Sequence, residues 1–451
     1  MIHAYTFDGT NIVFDVNSNQ VHIVDEPSFK IIKDYEKIDV NQLKIKYSPV
    51  YGNLVVEEIL EEIAALIAKG LLFTADPFEG EINLPKPEPV VKALCLHLAH
   101  DCNLRCRYCF AGQGDFGGVR GLMPAEVGRK AIDFLLRSSG SRRHVEVDFF
   151  GGEPLLNRPV LLELVDYGRV KAGEAGKEIK FTLTTNTLLL DQEIQKFIGE
   201  NHLAVVLSID GRPAVHDYMR PFPAGHGSYD RVAERIVQFI NSPHCREHYV
   251  RGTFTRHNLD FCEDVRHLAE LGCRQISVEP VVAGAESDYA LREEDIPALM
   301  LEYDKLTRYI LDLHRDGTEI NFFHFNIELE EGPCLAKRLT GCSAGLEYLA
   351  VTPEGDLYPC HQFVGRDNYR VGTVFDDAID KNSAYLFAKA HIYNKKACQN
   401  CWAKFNCSGG CHANALAFNN SLFEPYRLGC LLARKRLECA LYLKAMISHF
   451  K

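Results

Sequence analysis

The sequence predicts an α/β protein built on a parallel sheet with covered faces. A small strand-and-helix domain precedes the sheet, and a region organised around metal follows it. Three observations carry this. Between residue 91 and about residue 315, short apolar runs alternate with helical patterns. Before residue 90, β-rich stretches split by turn chemistry lead into helices. The 16 cysteines are absent from residues 1–94; four fall in 95–109 and nine in the last 118 residues. At roughly 150 residues per domain, the length of 451 residues suits about three domains.

In residues 1–78, AYTF, NIVFDV and QVHIVD read as strands, separated by Asp8-Gly-Thr-Asn and Asn17-Ser-Asn turns. A helix is expected near Pro27–Tyr35. Farther on, Val56, Ile59, Leu60, Ile63 and Ile67 share one helical face, and Gly70 stands where a C′ glycine belongs. The following LLFTA reads as extended. Strands plus three short helices predict a winged-helix-like domain. Residues 79–90 form a linker whose Pro85, Pro87 and Pro89 keep it stiff, marking the domains on either side as separable.

The expected sheet strands are 91–99, 145–150, 179–185, 203–209, 249–255 and 275–280, with helices such as 124–137 and 261–272 between them. Six βα units are too few for an eight-fold barrel, which leaves an open partial barrel or a doubly wound sheet. Either places the site at the C-terminal strand ends. Residues 321–451 show few periodic segments.

Charge and hydropathy narrow the class. Fifty Lys and Arg against 61 Asp and Glu give a net charge of −11, which argues against a nucleic-acid or anionic-membrane partner. No apolar run approaches the ~18 residues of a membrane span. MIHAYTFDGT lacks the basic-then-apolar pattern of a signal peptide, so a cytoplasmic location is expected. Clustered cysteine in such a chain points to metal.

The first constellation is Cys102-Asn-Leu-Arg-Cys106-Arg-Tyr-Cys109, directly after the first sheet strand. Three thiolates suit three irons of a [4Fe–4S] cluster and leave the fourth open. A zinc site with a distant fourth ligand and a set of buried structural thiols are the other readings. The second constellation comprises Cys342, Cys360, Cys398, Cys401, Cys407, Cys411 and Cys430; these thiols call for iron–sulfur clusters or two structural zincs.

Together these motifs resemble the radical S-adenosylmethionine enzymes with a SPASM extension. The resemblance implies a partial (β/α)6 TIM-like barrel over 91–320, with Cys102, Cys106 and Cys109 on the catalytic cluster, and a SPASM domain over 321–451. It implies three [4Fe–4S] clusters and S-adenosylmethionine, cleaved to a 5′-deoxyadenosyl radical. Tyr108 matches the aromatic position beside the adenine, and Gly151-Gly152-Glu153-Pro154 the motif that meets the methionine ammonium. Thr185, Asn186, Ser208, Asp210 and Arg251 are further cofactor-binding candidates at strand ends. The family's crossed pairing puts Cys342, Cys360 and Cys411 on one auxiliary cluster, and Cys398, Cys401, Cys407 and Cys430 on the other. Cys334 is either an eighth ligand or uninvolved, which would leave the first auxiliary cluster an open iron. His361 stands where sulfatase-maturing relatives place a catalytic Asp, which speaks against formylglycine formation. The N-terminal domain resembles the recognition element of enzymes that modify ribosomally made peptides. The whole arrangement is similar to the thioether (sactionine)-forming maturases of Cys-rich SCIFF peptides. That implies a leader-bearing precursor peptide as partner and a ferredoxin or flavodoxin as electron donor. A carbon–carbon crosslink, an epimerisation, an oxidation, or a non-catalytic electron carrier are the alternatives.

Overall fold

The computed structural model describes residues 1–76, 78, 90–329, 335–376 and 379–449. Nearly all of the expected linker, and Cys334, lie outside these residues. Strands β1 (Ile2–Phe7), β2 (Thr10–Asp15) and β3 (Gln20–Val24) form an antiparallel meander in that order. Helices Glu26–Asp34, Val40–Tyr51 and Asn53–Ala68 follow. Asp25 and Asp39 cap the first two, each accepting a backbone N–H from the first turn. The third buries Val56, Ile59, Leu60 and Ile63, as its periodicity requires. Leu71–Ala75, expected as extended, joins no sheet.

The central sheet settles the choice the βα count left open. Strands β4 (Ala93–Ala99), β5 (His144–Gly151), β6 (Glu178–Thr185), β7 (Ala204–Ser208), β8 (His248–Phe254) and β9 (Gln275–Pro280) are parallel neighbours in sequence order. A doubly wound sheet would reverse its order partway. This one winds in a single sense, as a partial barrel does. Alternation along each strand separates its two faces. Val145, Val147 and Phe149 are fully buried under the helices, whereas Glu146, Asp148 and Phe150 stay partly exposed on the lumen side.

The sheet runs past residue 320. β10 (Asn321–Phe322) pairs with β9, and β11 (Tyr348–Val351) pairs in parallel with β4. β12 (Asp356–Tyr358) and β13 (Gly372–Thr373) extend it antiparallel. The expectation of weak periodicity in this region missed the 23-residue helix Arg427–His449. That helix is packed from two sides: Cys439 Sγ lies 3.8 Å from Tyr303 O of the helix Ile296–Arg315, and Tyr442 stacks on Phe7 of β1. Its apolar residues are therefore spread around the axis and leave no single stripe to read.

The N-terminal domain is docked rather than tethered. His3 stacks on Trp402 at 3.6 Å, and Tyr5 OH donates to Glu438 O at 2.7 Å. Asp76 takes Tyr393 OH at 2.7 Å and the Lys404 ammonium at 2.5 Å. Phe14 and Val16 share one buried cluster with Cys398, Phe405 and Leu441. Among the described residues no helix is long and apolar enough to cross a membrane.

Candidate functional site

A cavity of about 760 Å³ lies at the C-terminal ends of the parallel strands. Cys102, Cys106 and Cys109 line it, with Tyr108, Gly151, Gly152, Thr185, Asn186, Ser208 and Arg251. Ten of the thirteen candidates named before residue 260 therefore meet in one place. Glu153, Pro154 and Asp210 are not on its wall; Glu153 and Asp210 are buried behind it in hydrogen-bonded positions.

The three-thiol loop leaves β4 and is held from several sides. Arg105 N donates to Pro221 O at 2.9 Å and Arg107 N to Met219 O at 2.8 Å. Asn186 Nδ2 donates to Asn103 Oδ1 at 2.7 Å and lies 3.6 Å from Cys102 Sγ, so Asn186 steadies the loop itself. Gly151 and Gly152 bring the end of β5 against the root of that loop. Gly152 N donates to Ala99 O at 2.8 Å, and a Cβ on Gly152 would sit 2.1 Å from Asp101 O. Gly151, at φ +121°, would put a Cβ 2.4 Å from Ala99 O. The two glycines thus let the end of β5 approach the loop that carries the three thiols.

Glu153 is wholly buried and faces three donors. Leu155 N and Thr185 Oγ1 reach Oε1 at 3.0 and 2.8 Å, and Asn186 N reaches Oε2 at 2.8 Å. Burial pushes its carboxyl up to about 7 against the pull of those donors. Glu153 thus ties the ends of β5 and β6 together beneath the cavity. Glu153→Gln should destabilise the protein by about 1–3 kcal/mol, because its amide NH₂ would confront a backbone or hydroxyl donor. Denaturant unfolding of the cofactor-free chain checks this, and an unchanged midpoint would mean the tie is unimportant.

Asp210 is a second buried anchor. It accepts Tyr108 OH at 2.7 Å, Arg220 Nε at 3.1 Å and Thr253 N at 3.1 Å. The Arg220 guanidinium lies 5.5 Å from the centre of the Tyr108 ring. The expected adenine-side aromatic is therefore set by Asp210 and Arg220. No motif announced Arg220, which enters from the turn after helix Pro213–Met219.

The opposite wall comes from beyond residue 340: His361, Gln362, Arg366, Asn414 and Phe418. His361 packs against Phe150 and Phe110, ring centres 5.0 and 5.4 Å apart. Burial drops its imidazole to about 4, so it is neutral near pH 7. Arg251 Nη2 of β8 meets Glu279 Oε2 of the neighbouring strand β9 at 2.8 Å. Sequence reasoning missed Glu279, a lumen-facing carboxylate at the end of β9 whose partner only the barrel supplies.

A second cavity of about 720 Å³ adjoins the first, with Glu279, Pro280, Val281, Val282 and Asn414 lining both. Cys342, Cys407, Cys411 and Cys430 open into it. The thiols influence one another in groups. Cys102, Cys106 and Cys109 act on one another. Cys360 feels Cys411 and Cys342, and Cys398 feels Cys407, Cys430 and Cys401. Burial pushes Cys106, Cys360 and Cys398 up to about 12, so a metal has to displace their protons. Among the described residues no three or more His, Cys, Asp or Glu close on a single ion. Soft thiolates grouped in threes and fours are the donor set that four-iron clusters take.

Residues 91–233 match the 4Fe-4S single cluster domain family, and residues 342–402 match SPASM, an iron-sulfur cluster-binding domain. The chain is 25% identical over 346 residues to the cysteine-type anaerobic sulfatase-maturating enzyme of Clostridium perfringens, covering 72% of this chain and 89% of that enzyme. It is 21% identical over 385 residues to the radical SAM cyclopropyl synthase TigE of Paramaledivibacter caminithermalis, covering 79% and 76%. Native anSMEcpe with bound AdoMet superposes with a TM-score of 0.68 at 21% identity, over 80% of this chain and all (100%) of that one. Streptococcus suis SuiB bound to precursor peptide SuiA gives 0.54 at 16% identity, over 95% and 98%. At these identities the structural likeness speaks for the fold.

Proposed function

We propose that this chain, a radical S-adenosylmethionine enzyme with iron–sulfur clusters in a SPASM domain, joins a cysteine sulfur to an α-carbon within a ribosomally made, Cys-rich peptide. The observation that carries this reading is two cavities sharing one wall. The three-thiol loop opens into the first, and Cys342 and Cys411 of the three-thiol SPASM set open into the second. When bound, the cofactors supply a hydrogen-abstracting 5′-deoxyadenosyl radical on one side and a metal that keeps a thiol deprotonated on the other. Phe110, Phe150 and neutral His361 give the first cavity an aromatic wall that sheds water from a reacting carbon. The acidic residue expected of a sulfatase-maturing enzyme is absent at position 361, which supports a different outcome. Arg251 and Glu279 present a paired charge to a peptide backbone entering between barrel and SPASM domain.

Two of the related structures hold peptides: the Kp18Cys peptide in anSMEcpe and a precursor peptide in SuiB. Sulfatase maturation acts on a protein. In this chain β3 pairs with β2 alone among the described residues. Its free edge offers backbone hydrogen bonds to an extended leader. The setting we infer is cytoplasmic, with a ferredoxin or flavodoxin as electron source.

Anaerobic reaction of the reconstituted enzyme with a short Cys-rich peptide encoded beside it tests the reading. The product should be lighter by two hydrogen atoms and should have lost one alkylatable thiol. The same mass loss with every thiol still alkylatable would mean a carbon–carbon crosslink, and an unchanged mass would mean another outcome altogether. A Cys334→Ala variant should keep its full iron content and still close the bond. Loss of about four irons would make Cys334 a ligand and remove the free coordination position.

A further inference from the structure

Lys395 is the largest cation among the fully buried side chains, at 0% exposure. It precedes the short helix Lys396–Gln399, and its Nζ donates to Gly409 O at 2.8 Å. Among the described residues no carboxylate stands within ion-pair distance of it. Gly409 lies between Cys407 of the four-thiol set and Cys411 of the three-thiol set, so the ammonium is seated in the loop that joins the two sets. Burial pulls its proton affinity down, and Cys398, Cys407, Cys411 and Cys342 pull it back up, while His391 and His412 also feel its charge. The backbone is shaped to admit it. Gly409 sits at φ +84°, and a Cβ there would lie 3.0 Å from Nζ. A buried ammonium is costly unless something anionic answers it. Here the answering charge comes from thiolates on two sides, once metal has taken their protons.

We propose that Lys395 is a positioning charge that raises the reduction potential of both SPASM clusters. The inference rests on reading the seven thiols as ligands of two clusters. Each cluster gains a negative charge when reduced, and net charge nearby is one of the levers that set such potentials. One buried cation reaching thiols of both sets stabilises both reduced forms and biases them alike. Nothing in the cysteine spacing indicates this, because Lys395 lies outside every C-x-x-C motif and reaches the three-thiol set only through the fold.

The test uses the full-length chain, reconstituted anaerobically, with iron counted and the SPASM signals followed by redox titration under electron paramagnetic resonance. Lys395→Gln removes the charge but keeps a donor for Gly409 O; Lys395→Met removes both; Lys395→Arg keeps the charge. Gln and Met should lower both potentials together, by about tenfold in each reduction equilibrium, which is about 59 mV for one electron. Arg should titrate close to the parent protein. A Lys395→Gln protein that titrates like the parent overturns the proposal, because the hydrogen bond then matters and the charge does not. A shift confined to one cluster overturns it too, as does an equal shift in Met and Arg. If Gln and Met lose SPASM iron while Arg keeps it, the charge is needed to hold the anionic clusters at all, which supports the assignment. Loss in all three variants makes Lys395 a packing residue and overturns it. A parent protein with no iron beyond the first cluster overturns the reading of the seven thiols instead.

Discussion

A chain with Cys102, Cys106 and Cys109 all replaced by alanine should form no 5′-deoxyadenosine under reducing conditions. It should lose about four irons of the about twelve that three four-iron clusters imply. The SPASM iron should stay, because none of its seven thiols lines the first cavity and Cys342, Cys407, Cys411 and Cys430 open into the second. The fold should survive. The loop is fastened by backbone bonds to Met219 and Pro221 and by Asn186 to Asn103, none of which uses a thiol. Iron analysis with chromatography of the nucleoside product reads both quantities from one sample. Undiminished 5′-deoxyadenosine would remove this triad from the catalytic role, and loss of all iron would mean that the clusters assemble interdependently.

Removing residues 1–78 should do more damage than a proline-rich linker leads one to expect. The cut leaves Lys404, 4% exposed, without the carboxylate of Asp76. An uncompensated buried charge costs about 3–5 kcal/mol. It also strips Phe14 from the cluster holding Cys398, Phe405 and Leu441, and His3 from the face of Trp402. A fully buried side chain of that size is worth about 1.5–3 kcal/mol. Both losses fall on the four-thiol set, since Cys398, Cys401 and Cys407 frame Trp402 and Lys404 in sequence. The truncated protein should therefore lose that cluster's iron or aggregate, whereas Lys404→Met paired with Asp76→Leu should keep it. A truncated chain with full iron and solubility would show that the domain is only an appendage. Peptide recognition is better probed on the intact chain, at the β3 edge.

Much of this protein was legible in one dimension. The six parallel strands fall within a few residues of their apolar runs, because a strand covered on one face by helices must carry β-branched and aromatic residues there whatever its neighbours do. The three-thiol loop was legible for a related reason: Cys102-x3-Cys106-x2-Cys109 is local spacing, and the structure brings all three thiols to one cavity. Only the tertiary structure decided the winding sense, since strand order is a long-range fact that no run of residues records. It also decided the work of Glu153 and Asp210. Both are polar residues at strand ends, where a cofactor contact is a fair expectation; the fold buries them against donors from the next strand and turns them into anchors. The helix Arg427–His449 escaped notice because two partners share it, so its apolar residues cover more than one face. Arg220, Glu279 and Lys395 belong to the same class. Each carries a charge whose meaning depends on a partner that only the fold supplies: Asp210 ten residues back beyond a helix, Arg251 on the neighbouring strand, and thiols of two sets that come together only in the folded SPASM region.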